Sequence, residues 1–455
     1  MEPHPYSIVD EVGTVYLGDE CVYRAISRGM EPQTLKLLQC GLMEKLYAEN
    51  LFPRTAVSEK SFPDASLVLE HERITPTIYP YEWSPEMLRG AARCVLKVNA
   101  IANEFGYEIK DAHPYNVMFN RTSPNFVDFG SIATKHPGPY WSAYDEFLRS
   151  YLYPLKLYRK GFYELYAHLH LLHGCSLPRA EFLMMSSSLF RVMGRRFTDL
   201  YWECSNHYKN PLPKHADGID RRLKRGLPLR LAKRLYFNYH LPFRGVSLKR
   251  LEKSVNRIGL DSGSGPHPGH GALDSSGIVG KRRKRVLEIL EKLHPVSVIE
   301  LAGTGDILSP DLAGVPGLRH VYCVCHDPRT LDSQMRFEKT SDRISPMVFD
   351  IMGNAGENGI QLRAERLKCD LVLALGVSGS FPPSQPYHPG IVMDRITSFS
   401  RKHVLIDFRP GTSDSRPHSA WNDEDEFERA LSRNCRIISR EKLEPNQTLY
   451  LAEIV

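Results

Sequence analysis

Apolar and polar positions change rhythm along this chain, and each rhythm predicts an element. From residue 13, "GTVYLGDECVYRAI" alternates with a period of two around Gly18 and Asp19, which predicts a hairpin over 13 to 26. A helix is predicted near 31 to 48, and "ASLVLEHE" at 65 to 72 reads as a further strand. Ser84 then precedes Pro85, apolar residues recur at Leu88, Ala92, Val95, Ile101 and Phe105, and Gly106 follows, so the pattern predicts a helix from cap to stop. "WSAYDEFLRSYLYPLKLY" and the stretch to about 245 read as helical and rich in aromatic residues.

The rhythm breaks at "GLDSGSGPHPGHGALDSSGIVG", where Gly, Ser, Pro and His replace periodic apolar positions and no packed core is expected. This predicts an amino-terminal domain over 1–258, a flexible linker over 259–280 and a carboxyl-terminal domain over 281–455. The last opens with a helix, "KRRKRVLEILEKLHP", running into "VSVIELAGTGD", then "LRHVYCVCHDP", "ISPMVFDIM", "CDLVLALGVSGSF" and "KHVLIDFRPG". Apolar runs of strand length separated by helix-length segments are the pattern of an α/β, parallel, doubly wound sheet. Ligands of such sheets bind at the carboxyl ends of the strands.

Composition adds little direction. At 455 residues the chain is long for one core, and 59 Lys and Arg against 53 Asp and Glu leave a net charge of +6 that selects no partner by itself. Nine cysteines are scattered without a CxxC pair, which fits reduced thiols, and Cys323 and Cys325 alternate within an apolar run as in a buried strand. No signal-like beginning and no segment apolar enough to span a membrane is visible, so a cytoplasmic location is expected.

The loop "EIKDAHPYNVMFNRTSPNFVDFGSI" concentrates chemistry in the first half. Asp111 and Asn116 have the spacing of a kinase catalytic loop, and Asp128, followed by Phe129 and Gly130, lies where a second acid would hold magnesium against nucleotide phosphates. This marks Asp111, Asn116 and Asp128 as a candidate nucleotide and magnesium site, with Asn116 and Asp128 as the metal ligands and Mg-ATP as the cofactor. Ile109 and Lys110 stand where a kinase has His and Arg, no G-x-G-x-x-G loop is present, and Arg24 lies where the phosphate-binding lysine would stand. The alternative is a loop tied down by hydrogen bonds, with "VDFGS" as a strand and turn.

In the second half, "VSVIELAGTGD" resembles the first strand and glycine loop of class I S-adenosylmethionine-dependent methyltransferases. Small residues there let backbone approach the cofactor. The Lys110 to Asn116 loop, the Phe126 to Asp128 strand, Trp141, Tyr144, Phe147, the "YPL" of 153 to 155, "ISPMVFDIM" and Asp370 to Leu375 together resemble methyltransferase-like proteins related to the rhizobial nodulation protein NoeA. The resemblance implies a Rossmann-like methyltransferase domain preceded by an α+β kinase-like domain. It implies S-adenosylmethionine as cofactor, with Glu300, Gly303, Gly305, Asp327 and Asp350 as its candidate residues. It also implies host-specific nodulation as the setting, with an unidentified small molecule or saccharide as acceptor.

The sequence departs from that pattern at the pocket. Its glycine loop is one residue short with Ala302 at the first glycine position, Asp327 stands two residues beyond the expected ribose acid, and "GVSGSF" replaces a pair of histidines after the fourth strand. His388, in a loop, and Asp407, at a strand end, are the candidate bases; a solvent-facing histidine and a loop-capping acid are the alternative roles. Two further functions remain open: a regulatory scaffold with degenerate pockets, and phosphoryl transfer at Asp111, Asn116 and Asp128. The basic runs "KRRKR" and "RRLKRGLPLRLAKR" suit solvated faces, RNA or anionic lipid, without a nucleic-acid motif.

Overall fold

The computed structural model describes residues 11–136, 141–188, 247–260, 278–302, 307–334, 342–377, 387–410 and 423–455, apart from 64, 164, 167–168, 170–175, 354–355 and 445, and also residues 1, 3, 4, 7, 191, 192 and 194. The basic and aromatic stretch over 221–244 and the glycine segment at 303–306 lie outside the described residues.

In the amino half, β1 (Gly13–Leu17) and β2 (Cys21–Ser27) form the expected hairpin, closed where the Gly18 N–H donates to the Cys21 carbonyl at 2.9 Å. β3 (Thr55–Val57) and β4 (Ala65–Glu72) complete an antiparallel sheet of order β1-β2-β4-β3. The single helix expected over 31 to 48 is two, α1 (Glu31–Gln39) and α2 (Leu42–Ala48). Gly41 separates them at φ +87°, a left-handed backbone that glycine adopts without a Cβ penalty.

After a short 3₁₀ turn at Pro80–Glu82, α3 (Pro85–Glu104) starts where expected: the Ser84 hydroxyl oxygen accepts the Met87 N–H at 3.3 Å. β5 (Tyr107–Ile109) pairs with β8 (Ile132–Thr134), and between them β6 (Val117–Asn120) and β7 (Ser123–Phe126) form a second hairpin. The loop over 110–116 is thereby held between two small ladders. α4 (Tyr144–Phe147), α5 (Tyr153–Arg159) and α6 (Arg179–Ser186) follow, and α7 (Leu248–Asn256) lies on α3, with Arg93 Nε donating to Asn256 Oδ1 at 2.6 Å.

The carboxyl half runs α8 (Ile278–Leu293), β9 (Ser297–Ala302), α9 (Ser309–Leu312), β10 (His320–Cys325), α10 (Pro328–Gln334), β11 (Ile344–Val348), α11 (Gly356–Leu367), β12 (Cys369–Ala374), α12 (Pro389–Ser398), β13 (Ser400–Phe408), α13 (Glu424–Leu431), β14 (Cys435–Glu444) and β15 (Gln447–Ile454). Its seven strands take the order β11-β10-β9-β12-β13-β15-β14. β9 to β13 are parallel, in the 3-2-1-4-5 order of a Rossmann-like sheet. The sheet is not parallel throughout: β15 inserts antiparallel between β13 and β14. The connection from β14 to β15 is too short to cross over, so it can only make a hairpin.

Both faces of the parallel strands are buried, as an apolar run without strict alternation predicts, whereas the edge strand β14 is largely exposed. Val298, Val321, Cys323 and Leu371 pack with Val286 and Leu290 of α8. Ile299, Val324, Met347 and Val372 belong instead to one continuous buried cluster with Leu88, Val95 and Trp83 of the amino half. A buried charge cluster lies at the same junction. Glu82 is fully buried and pairs with Arg363 Nε at 3.3 Å and with Arg366 Nη1 at 3.0 Å. Arg363 covers the Phe349 ring at 4.5 Å, and Arg366 the Tyr79 ring at 5.1 Å. Removing the carboxylate strands two arginines in an apolar junction. Glu82→Gln is therefore expected to cost about 3–5 kcal/mol, read by urea unfolding at pH 7, with a change below about 1 kcal/mol refuting the assignment.

Candidate functional sites

Chemistry-bearing side chains gather in two places. At the carboxyl edge of the large sheet, the ladder pairs Ala302 with Cys325 and Cys325 with Val348, so β9, β10 and β11 end in one row. Asp327 and Asp350 each follow that row by two residues, just past the ends of neighbouring strands. The strand order reverses direction at β9, with β10 on one side and β12 on the other, which makes this the switch point of the sheet.

Gly303 and Gly305 lie outside the described residues, but both flanks of their segment are described. Glu300, buried on β9, accepts the Leu308 N–H and the Ser309 N–H, each at 2.7 Å, and the Ser309 hydroxyl at 2.5 Å. It ties the residue run after the glycines back to the strand before them. Burial raises its carboxyl pKa, and the bonds from Ser309 and Leu308 oppose that rise. Asp327 Oδ1 accepts the Arg329 N–H at 3.0 Å and Arg329 Nε at 3.1 Å, and Oδ2 accepts the Thr330 hydroxyl at 3.3 Å. Asp350 is exposed, and its Oδ1 accepts the Met352 N–H at 2.8 Å.

The two candidate bases make other contacts. His388 is the N-cap of α12: Nδ1 accepts the Gly390 N–H at 3.1 Å, and Nε2 lies 3.2 Å from Glu426 Oε1. Since Nδ1 accepts, Nε2 carries the proton. Asp407 is buried in β13; Oδ1 accepts the Gly376 N–H at 2.5 Å, Oδ2 accepts Gln447 Nε2 at 2.6 Å, and Arg409 and Arg282 lie 3.4 and 3.5 Å away. These contacts hold β13 to its surroundings. Within the "KRRKR" run Arg282 is buried against Asp407, whereas Lys281, Arg283 and Lys284 are exposed as on a solvated face; Arg283 pairs with Asp311, and Arg285, half-buried, pairs with Glu288 and Glu441. Cys323 and Cys325 are buried in β10, and burial pushes the Cys325 thiol up to about 12.

The second place is the loop of the amino half. Asp111 Oδ1 accepts the His113 N–H at 2.8 Å, and Asn116 Nδ2 donates to the Asp111 carbonyl at 3.2 Å and to Ser131 Oγ at 3.4 Å. The Ser131 hydroxyl in turn donates to Asp128, so the three residues singled out by spacing form one connected set. Asp128 also accepts the Gly130 N–H at 3.1 Å and Nη2 of Arg24, buried on β2, at 2.9 Å. Among the described residues, no group of three or more His, Cys, Asp and Glu could hold a metal ion, and no helix is long and apolar enough to cross a membrane.

With Asp145 beside it and nothing along the chain to choose between the two acids, Glu146 of α4 was not singled out by any motif. Its Oε2 accepts the Ala112 N–H at 2.7 Å, and burial, followed by the charge of Asp111, pushes its carboxyl up to about 7. Asp332 of α10 was likewise invisible. Its Oδ2 accepts the Glu86 N–H at the start of α3, at 3.1 Å, and burial pushes it up to about 8.

No family model matches the chain. It is 24% identical over 406 residues to nodulation protein NoeA of Rhizobium meliloti (strain 1021), covering 85% of this chain and 82% of the relative. The two proteins are distant homologues. Among solved structures, N-methyltransferase NodS from Bradyrhizobium japonicum WM9 in complex with S-adenosyl-L-homocysteine is similar over 41% of this chain and 93% of its own, with 15% identity and a TM-score of 0.31. The Methanococcus jannaschii fibrillarin pre-rRNA processing protein covers 35% of this chain and 67% of its own, with 17% identity and a TM-score of 0.27. TM-scores of this size carry no functional weight, and strand order and register define the fold of the carboxyl half.

The two raised acids fix a direction for pH dependence. In the folded chain Glu146 and Asp332 keep protons that the unfolded chain, with ordinary carboxyl pKa values of 4.5 and 3.8, releases at lower pH. Their contribution is complete below about pH 4 and is lost as pH rises through about 7 for Glu146 and about 8 for Asp332. Denaturant titrations between pH 5 and 8.5 are expected to show a downward slope that Asp332→Asn and Glu146→Gln each reduce; an unchanged slope in both variants contradicts the buried, protonated acids.

Proposed function

We propose that the carboxyl half binds S-adenosylmethionine across the ends of β9, β10 and β11 and directs its methyl group to an acceptor. The observation that carries this reading is the aligned row of strand ends at the switch point, with Asp327 and Asp350 two residues past the ends of adjacent strands. The acceptor set suits the cofactor: carboxylates accept from a ribose diol and from the amino edge of adenine. Asp327 would hold the ribose and Asp350 the adenine, Gly303 and Gly305 would allow close backbone approach, and Glu300 would hold that segment to β9.

The bound sulfonium supplies an electrophilic methyl group. The chain's part is then to orient cofactor and acceptor and to exclude water. His388 and Asp407 take supporting roles in this proposal, one at the start of α12 and the other inside β13. The acceptor class proposed is a small molecule or saccharide, and the setting proposed is nodulation, which the name of the distant homologue carries.

For the amino half, the arrangement of α3, the β5–β8 ladder, the β6–β7 hairpin and the Asp111-to-Asp128 set supports a kinase-like module. The Arg24–Asp128 pair bears on its activity. A guanidinium sits on the carboxylate that would take magnesium, so this half is read as a structural module that binds no Mg-nucleotide, and Mg-ATP chemistry would require Arg24 to withdraw.

Calorimetric titration of the full-length protein tests the reading. Wild type is expected to bind S-adenosylmethionine in the micromolar range, Gly305→Arg to abolish binding by filling the backbone approach, and Asp350→Ala to weaken it about tenfold, equivalent to one lost charge-assisted hydrogen bond. Absence of binding at millimolar cofactor by a cooperatively folded sample overturns the proposal. Magnesium-dependent nucleotide binding that Asp128→Asn removes would overturn the reading of the amino half.

A further inference from the structure

We infer that the amino half sets the ribose end of the cofactor site, with Tyr163 and Arg329 acting as positioning residues for Asp327; this rests on the methyl-transfer reading above. Arg329 is the joint. Its Nε lies 3.1 Å from Asp327 Oδ1, and its guanidinium carbon lies 4.9 Å from the centroid of the Tyr163 ring. Tyr163 belongs to the other half of the chain, and its ring meets Tyr158 of α5 edge-on at 4.9 Å.

A guanidinium between an aromatic face and a carboxylate is attracted from both sides, by the ring quadrupole and by a charge-assisted bond. Its position therefore adds a side-chain restraint to the Arg329 N–H and Thr330 hydroxyl bonds that already hold the rotamer of Asp327. The same helix is gripped again further along, where Asp332 accepts the Glu86 N–H at the start of α3. α10 begins immediately after Asp327, so both contacts restrict the residue that would meet the ribose diol. A carboxylate already held in one orientation binds a diol with less ordering cost than a mobile one.

The consequence is a dependence that the sheet alone would not have: substitutions in the amino half should alter affinity at the ribose. The test is titration of full-length variants with S-adenosylhomocysteine, with thermal melting to confirm folding. Tyr163→Leu is expected to weaken binding roughly five- to tenfold, the size of a partly desolvated cation–π contact. Tyr163→Phe, which keeps the ring face, is expected to remain within about twofold of wild type. Arg329→Gln is expected to weaken binding like Tyr163→Leu and leaves the Tyr163 packing in place should the leucine variant fail to fold. In an Asp327→Asn background, Tyr163→Leu is expected to cost little more, because the two act through one carboxylate.

Wild-type affinity in both Tyr163→Leu and Arg329→Gln overturns the inference while leaving methyl transfer standing. A Tyr163→Leu loss that persists in full in the Asp327→Asn background also overturns it, since the ring would then act on the fold in general. Failure of wild type to bind S-adenosylhomocysteine overturns the methyl-transfer reading and this inference with it.

Discussion

A fully buried carboxylate joins the two halves of this protein. Glu82 lies between Arg363 and Arg366, whose guanidinium faces rest on Phe349 and Tyr79. Such a cluster is tolerable only while all members are in place, because each charge alone would be stranded in an apolar environment. It therefore specifies one docking of the halves, more than it adds net stability. The continuous apolar cluster from Trp83 and Leu88 to Ile299 and Met347 supplies the surface burial, and the ionic cluster fixes its register.

That docking reaches the candidate cofactor site from two sides. Phe349, next to Asp350, carries Arg363 on its ring, while α10, next to Asp327, is held by Tyr163 and by the start of α3. The acids at the ends of β10 and β11 are thus supported by residues distant in sequence. A carboxylate on a loop has rotamer freedom; one backed by a docked helix has less.

In the amino half the loop over 110–116 is held by its own polar side chains. Asp111, Asn116 and Asp128 are linked through Ser131, yet a buried arginine neutralises Asp128, and Glu146 shares the environment of Asp111. A permanently charged guanidinium on the chain balances Asp128 without a diffusible cation.

Much of this was legible along the chain. The Ser84 cap, the Pro85 start and the Gly106 stop defined α3, the alternation around Gly18 defined the first hairpin, and the spacing of apolar runs defined the parallel strands, because these signals act over a few residues. The split at Gly41 was missed, since apolar periodicity continues across it and only the backbone torsion breaks the helix. The antiparallel β14–β15 pair was missed because strand direction depends on the length of the connection and on which edge is open. The acids at strand ends were named from their positions, but whether each faces a ligand or a neighbour was not. Glu300 turns to Ser309, and Asp407 turns to Arg282 and Gln447. The sequence by itself determined the elements and the residue types available to each site, because capping and periodicity are local. Only the tertiary structure decided that Glu82 meets Arg366, that Arg24 meets Asp128 and that Tyr163 meets Arg329. Those pairings join residues far apart in the chain, and docking of the packed elements sets their distances.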